Sequence, residues 1–284
     1  MSCKIWRVVR VRPFGAHSHN PFRIAILEFM LLIQKSLKSR FRAIWTSILL
    51  TTPSNYADRL ESVTKLVVND SLSNLELINE IDLAVVTIVI GAYWHQDLQE
   101  VRSRILALQS HSNADIQELV LAYAIALACR DDLHPRSFTS QICHDFNNRK
   151  LLSRDPADQD NCLRQLQLAQ KFVDQGASMI TSHILNSGLS QAIASSLYYF
   201  LNTPHCWHIV NQRTQRHPLS NHPQVTLQSG AIASAYLGGI GNTEKQNQEL
   251  LTRGVIFGDQ LWAKWAGVFN GDLMLVDDRL TPHR

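Results

Sequence analysis

Residues 220–239, SNHPQVTLQSGAIASAYLGG, run from a polar loop straight into a helix of small side chains. Gly230, Ser234 and Gly238 recur at every fourth position, so they fall on one helix face, with Ala231, Ala235 and Gly239 beside them. A face without bulk lets a second helix approach closely. Pro223 suits the first turn of such a helix, which puts Asn221 or His222 near its cap. The run Gly238-Gly239-Ile240-Gly241 follows no strand, so it ends the helix and is not a phosphate loop. Two uses fit the stretch: the floor of an active site, or a seam between packed helices.

Outward from there the chain reads as helix after helix. YADRLESVTKLVV (56–68) places Leu60, Val63, Leu66 and Val67 on one face. LELINEIDLAVVTIVIGAYW (75–94) opens amphipathic and becomes apolar all round, as a central buried helix does. DLQEVRSRILALQ (97–109) turns Leu98, Val101, Ile105 and Leu108 inward, and Asn113 is placed to cap ADIQELVLAYAIALACR (114–130). Asp155-Pro156 and Thr203-Pro204 each set a capping side chain before a proline, the signature of a helix start. Gly176 stops the helix that follows Asp155. LWAKWAGVF (261–269) gathers Leu261, Trp262, Trp265, Val268 and Phe269 into one stripe, read as core, after a polar TEKQNQE linker. There is no run of alternating strand pattern and no repeat of fixed period. The expected fold is all-α, a compact orthogonal multi-helix bundle in one domain.

At 284 residues, 45% hydrophobic and 18% charged, the composition is that of a globular protein with one sizeable core. The net charge of +3 is unevenly spread. Met1–Leu60 holds ten Lys/Arg against Glu28 and Asp58, a net +8 that leaves −5 for the remainder. No RNP-type pattern, zinc-finger spacing or interleaved aromatics accompany the basic block, so nucleic acid is not the expected partner. Residues 1–29 lack helical periodicity and carry Pro13 and Gly15. They are expected to be a basic disordered arm, or an upstream extension with the functional start at Met30, and residues 30–284 to be the domain. Cys3, Cys129, Cys143, Cys162 and Cys206 are scattered and odd in number, which points to a reducing compartment and a cytoplasmic protein. IDLAVVTIVIGAYW (81–94) is too short to span a bilayer, and IAILEFMLLI (24–33) lacks the setting of a signal peptide.

Several stretches, taken in order, resemble the ADP-ribosylglycohydrolase family, in a divergent cyanobacterial-type branch. SRFRAIWTSILL (39–50) is similar to the family's opening helix. RLESVTKLVVNDSL (59–72), LVLAYAIALA (119–128), LQLAQKFVDQGAS (166–178), SQAIASSLYYFLNTPHCW (190–207), SGAIASAYLGG (229–239) and LWAKWAGVF follow in the family's order. The resemblance implies a bundle of helices. In active members it implies two divalent cations, usually Mg²⁺, and cleavage of the bond between ADP-ribose and a protein side chain. That chemistry requires carboxylates, because hard cations take oxygen ligands and a metal-held water needs a base.

At the matching positions this chain departs from the pattern. The glycines of the opening helix fall on Ala43, Ser47 and Thr51, and its acid on Thr52. The family's Thr-Asp-Asp-Thr turn does not occur; Asp70 and Asp82 stand alone. In the late turn the glycines fall on Leu219 and Ser220, and the two aspartates and the threonine on Asn221, Pro223 and Gln224. The resemblance therefore implies a member without the hydrolase chemistry, with no catalytic or metal-binding residue, no cofactor, and a retained floor. The expected function is binding of a nucleotide-like ligand or a partner protein, with Asn221, His222 and Gln224 as the candidate binding residues. Two alternatives stay open: a divergent hydrolase using Mg²⁺ to remove ADP-ribose from proteins, and a helical scaffold.

Other constellations are weaker. His205, Cys206, His208, His217 and His222 cluster as a soft-metal site would, yet show no standard zinc spacing, and His205 and His208 read as one exposed helix stripe. Cys129 near His134, and Cys143 beside His144, pair a thiol with a base in sequence, while buried structural thiols are the commoner case.

Overall fold

A computed structural model describes residues 21–52, 57–69, 79–108, 116–147, 156–176, 189, 191–219, 221–241 and 248–267, with the backbone alone for 21–31, 33, 147 and 156. These residues form eleven helices and no strand, so the chain is all-α as expected. In order they are α1 (Pro21–Thr51), α2 (Ala57–Val68), α3 (Glu80–Tyr93), α4 (Leu98–Leu108), α5 (Ile116–Cys129) and α6 (Phe138–Asn147). Then follow α7 (Pro156–Asp174), α8 (Ala192–Asn202), α9 (Trp207–Thr214), α10 (His222–Leu237) and α11 (Gln248–Trp265).

The small-residue helix α10 is the hub, touching α1, α3, α5, α8 and α9. Its stripe is a seam. A Cβ added at Gly230 would lie 2.9 Å from Ser47 Oγ, and one at Gly238 would lie 3.5 Å from Arg40 Cγ, both on α1. Pro223 sits in the first turn and Gly238, at φ +66°, ends the helix in the left-handed conformation that glycine adopts without strain. The opposite flank of α1 is closed harder still. Gly254 and Gly258 of α11 leave no room for a Cβ, which would stand 2.7 Å from Thr46 Cα and 2.6 Å from Arg42 Cα. A glycine pair one turn apart brings α11 onto the α1 backbone, and Phe257 between them packs edge-on against Trp45 with ring centres 4.4 Å apart.

On the far side of α10, α3 and α5 are buried along most of their length. Their lack of a polar face follows from the near-continuous apolar runs read in the sequence. Asn79 caps α3 by accepting from the Asp82 N–H at 2.9 Å. Buried Asp82 pairs with Arg59 Nη2 at 3.2 Å.

Buried charge is placed where helices end. The Arg40 guanidinium donates to the carbonyls of Ala128, Ala235 (2.7 Å) and Tyr236 (3.2 Å), and pairs with Asp131. It thus supplies donors and positive charge to the C-terminal ends of α5 and α10 together, where helix dipoles leave unpaired carbonyls. Beside it lies buried His95, whose Nδ1 is 2.7 Å from the Ala92 carbonyl and whose ring meets Trp265 at 5.1 Å. Burial pushes its pKa from 6.5 down to about 4, helped by the charges of Arg130 and Arg40.

Three local expectations change. Helix α1 begins at Pro21, so the boundary placed at Met30 falls inside a helix; a proline fits the first helical position, where its missing N–H costs nothing. Residues 1–20 lie outside the described residues. Thr203-Pro204 does not start a helix: Cys206 N–H donates to the Thr203 carbonyl at 3.4 Å, closing a turn with Pro204 at its second position. The same dipeptide serves both structures, and here α9 opens instead at Trp207, the buried anchor, leaving His205 in the turn. Helix α11 starts at Gln248, within the stretch read as a linker. The cap at Asn113, the start at Asp155, and Val268 and Phe269 lie outside the described residues, while α7 opens at Pro156 and Gly176 follows it at φ +60°. No described helix is long and apolar enough to cross a membrane.

Candidate binding site

The N-terminal end of α10 meets α8 and α9 in a polar corner, and the sequence explains why it is polar there. The α8 face toward α10 carries Ser196, and α10 answers with Gln228 and Ser229. Ser196 Oγ donates to Gln228 Oε1 at 3.0 Å, and Ser229 Oγ lies 3.3 Å from the Ser196 carbonyl. One turn further along α8, buried Tyr199 reaches His217 in the loop before α10, with the phenol oxygen 3.1 Å from Nδ1. His217 Nε2 is 3.0 Å from Asn221 Oδ1. A carboxamide oxygen only accepts, so Nε2 carries the proton, Nδ1 accepts, and the tyrosine hydroxyl donates. Burial favours the neutral form of each ring. It lowers the His217 pKa, against the Asn221 hydrogen bond and with the help of the His222 charge. It raises that of Tyr199, with Tyr198 adding to the effect and Arg213 opposing it.

Asn221 stands at the cap of α10 but does not cap it with its side chain: the side-chain oxygen is turned to His217. His222 is half-buried, and its Nε2 is shielded from solvent yet makes no hydrogen bond among the described residues, one of twelve side-chain atoms in that state. Such an atom has room for a water or a ligand group as its partner. Gln224 is half-buried as well, but residues two apart on a helix do not share a face, so it does not converge with His222. Of the three residues read from the sequence, Asn221 and His222 meet at the corner around His217, and Gln224 lies off to another side. Tyr199 is the member that the sequence reading missed. The signal was faint: Tyr199 and His217 are 18 residues apart with no shared period.

The positions that carry acids and glycines in the family are occupied here by groups already in use. Ala43 is buried. Ser47 Oγ accepts from Trp207 Nε1 at 2.9 Å, and the same N–H reaches the Gly230 carbonyl at 3.2 Å. Thr51 Oγ1 donates back to the Ser47 carbonyl at 2.8 Å, and Thr52 Oγ1 to that of Ile48 at 2.9 Å. Leu219 and Pro223 offer no side-chain oxygen; Ser220 and Asp70 lie outside the described residues. These side chains are neutral, without the carboxylates that a pair of Mg²⁺ ions takes.

The remaining constellations do not assemble either. Among the described residues no three His, Cys, Asp or Glu side chains gather as a metal site would require. His205 and His208 are exposed, whereas His217 is buried. Cys129 is buried while His134 is exposed, and burial pushes the Cys129 thiol up to about 12, far from a thiolate. Cys143 points inward, with its pKa raised by burial, and His144 points outward. Compared with protein-family models, curated proteins and solved structures, the chain matches none.

Proposed function

We propose that this chain is a non-catalytic, ADP-ribosylglycohydrolase-like bundle that acts by binding a nucleotide-like ligand at the corner formed by Asn221, His222 and the Tyr199–His217 pair. The observation that carries the reading is His222 Nε2, shielded and unpartnered beside a hydrogen-bonded chain that fixes Asn221 and His217 in one orientation. Preorganised polar groups of this kind favour binding, because their ordering cost is met on folding. The second support is the occupation of positions 47, 51 and 52 by hydroxyls used in packing and helix back-bonding, where the resemblance would place glycines and an acid. The small-residue face of α10 serves the bundle, and the orthogonal arrangement of the family remains part of this proposal.

Thermal unfolding of the full chain, with and without ADP-ribose and each with and without Mg²⁺, tests the reading. A ligand bound only by the native state stabilises it by about 2.7 kcal/mol at a hundredfold excess over Kd. The expected result is a rise in Tm with ADP-ribose that does not need Mg²⁺. No rise in any arm overturns the ligand reading and leaves a scaffold. Chelator-sensitive release of ADP-ribose from modified arginine overturns the non-catalytic reading.

A further inference from the structure

Consecutive helices joined by a short connection ordinarily turn back on one another. Helices α10 and α11 do not. On one flank of α1, Ser47 Oγ lies against Gly230, Arg40 donates to the Ala235 carbonyl at 2.7 Å, and Ser39 donates to the Gly238 carbonyl. Helix α10 therefore runs antiparallel to α1. On the opposite flank, Gly254 stands against Thr46, Gly258 against Arg42, and Lys38 Nζ lies 5.2 Å from the centre of the Trp262 ring. Helix α11 runs antiparallel to α1 as well, so α10 and α11 point the same way.

The chain leaving α10 must then travel back along α1 before α11 begins. Gly238 is level with Ser39, whereas the register of Gly254 on Thr46 sets Gln248 level with Thr52. Those levels are about 20 Å apart along the α1 axis. Crossing from one flank to the other adds about 16–20 Å, at 8–10 Å between packed axes. From Gly238 to Gln248 an extended chain reaches about 33–36 Å, and α1 itself stands in the direct line. The connection has little length to spare, and residues 242–247, NTEKQN, include no apolar side chain. The seat of α11, by contrast, is specific. It consists of the glycine notch at 254 and 258, Phe257 edge-on to Trp45, and Arg42 Nη2 at 2.6 Å from Asp259 Oδ2. Asp58 and Asn69 on either side of α2 add contacts to Arg253 at 3.2 Å and Lys264 at 2.6 Å. A helix with a specific seat and a short, stretched connection is the arrangement in which identical elements exchange between copies.

We propose that α11 exchanges between two copies of this chain, the α11 of each seating on the α1 of the other, with the glycine notch as the interface. The exchange keeps every contact of the seat and relieves the return path along the chain's own α1. It is independent of the ligand reading.

Charge reversal across the seat tests the exchange in the full chain. Arg42→Asp and Asp259→Arg each place like charges at that contact. Differently tagged and refolded together, the two variants are expected to form a heterodimer in which each α1 meets an α11 of opposite charge. The heterodimer is expected to outweigh either homodimer about tenfold or more. Light scattering is expected to give the wild type twice the chain mass, and six Gly/Ser residues inserted after Glu244 to raise the dimer Kd about tenfold. Wild type that stays monomeric at its highest soluble concentration overturns the inference. So does a dimer whose charge variants show no preference for each other, which places the interface elsewhere. Circular dichroism follows the folding of each variant. Where neither folds alone, helical protein recovered only on refolding the two together upholds the exchange, because a closed chain keeps its own mispaired seat. No recovery from that mixture overturns it.

Discussion

Helix α10 has an arginine at each end, and the two are used in opposite ways. At its C-terminal end Arg40 is buried, donates to the carbonyls of Ala235 and Tyr236 and to that of Ala128 on α5, and is neutralised by Asp131. Toward its N-terminal end the chain passes Arg213, in the last turn of α9, which stands half-buried in an acid-free stretch with no side-chain partner among the described residues. The closed end shows what a folded chain does with a cation it needs for itself. The open end has the same chemistry without the completion. The difference gives the first arginine a part in stability that the second does not have.

The sharpest way to break the comparison is at the closed end. Arg40→Met leaves three carbonyls without their donor and Asp131 without its charge partner. Each helix-end carbonyl stranded without its donor costs about 1–3 kcal/mol, whereas Asp131 is 69% exposed and returns to water at little cost. Urea unfolding is expected to show a loss of about 3 kcal/mol or more. A loss below about 1 kcal/mol removes Arg40 from its structural role, since surface substitutions already account for about half of that.

The next effect is a pH dependence at the same end. His95 has its pKa lowered from 6.5 to about 4, so folding favours the neutral ring. An unfolded chain then binds the proton that the native state refuses, and stability falls as pH falls. The contribution is complete above pH 6.5, declines through the window from 6.5 to about 4, and is gone below it. A shift of that size corresponds to about 3 kcal/mol. His95→Gln is expected to flatten the stability–pH curve in that window, measured against wild type by urea midpoints; a curve of unchanged slope assigns the dependence elsewhere.

What the sequence made legible was local. Periodicity placed Val101, Ile105 and Leu108 inward on α4, and all three are buried. Pro156, Pro223 and Gly238 marked helix ends because each residue has a backbone preference that acts where it stands. The spacing of Gly230 and Gly238 announced a close approach but not which helix makes it. Gly254 and Gly258 carry the same four-residue spacing, and went unread because the run around them is not otherwise small. The pairings that build the two ends of α10 join residues far apart in the chain: Arg40 meets Ala128 and Ala235, and Tyr199 meets His217. Such contacts follow from how helices pack, which no local pattern encodes. Thr203-Pro204 misled for a related reason, since a turn and a helix start ask for the same two residues and the buried Trp207 decides between them.

The smallest expected effect is the most informative about the open end. In the absence of ligand, Arg213→Gln breaks no hydrogen bond or ion pair among the described residues, so its effect on stability is expected within about 0.5 kcal/mol. One favourable contribution is removed: Arg213 lies in the last turn of α9, where a positive charge complements the helix end by about 0.3–1 kcal/mol. Solvent screening keeps that contribution at the low end of its range. An arginine retained for folding costs more to lose, because its loss strands the groups it satisfied, as at Arg40. Urea unfolding of wild type and Arg213→Gln side by side, without ligand, measures the difference. A loss of 2 kcal/mol or more, on the order of a broken charged hydrogen bond, makes Arg213 a second structural arginine.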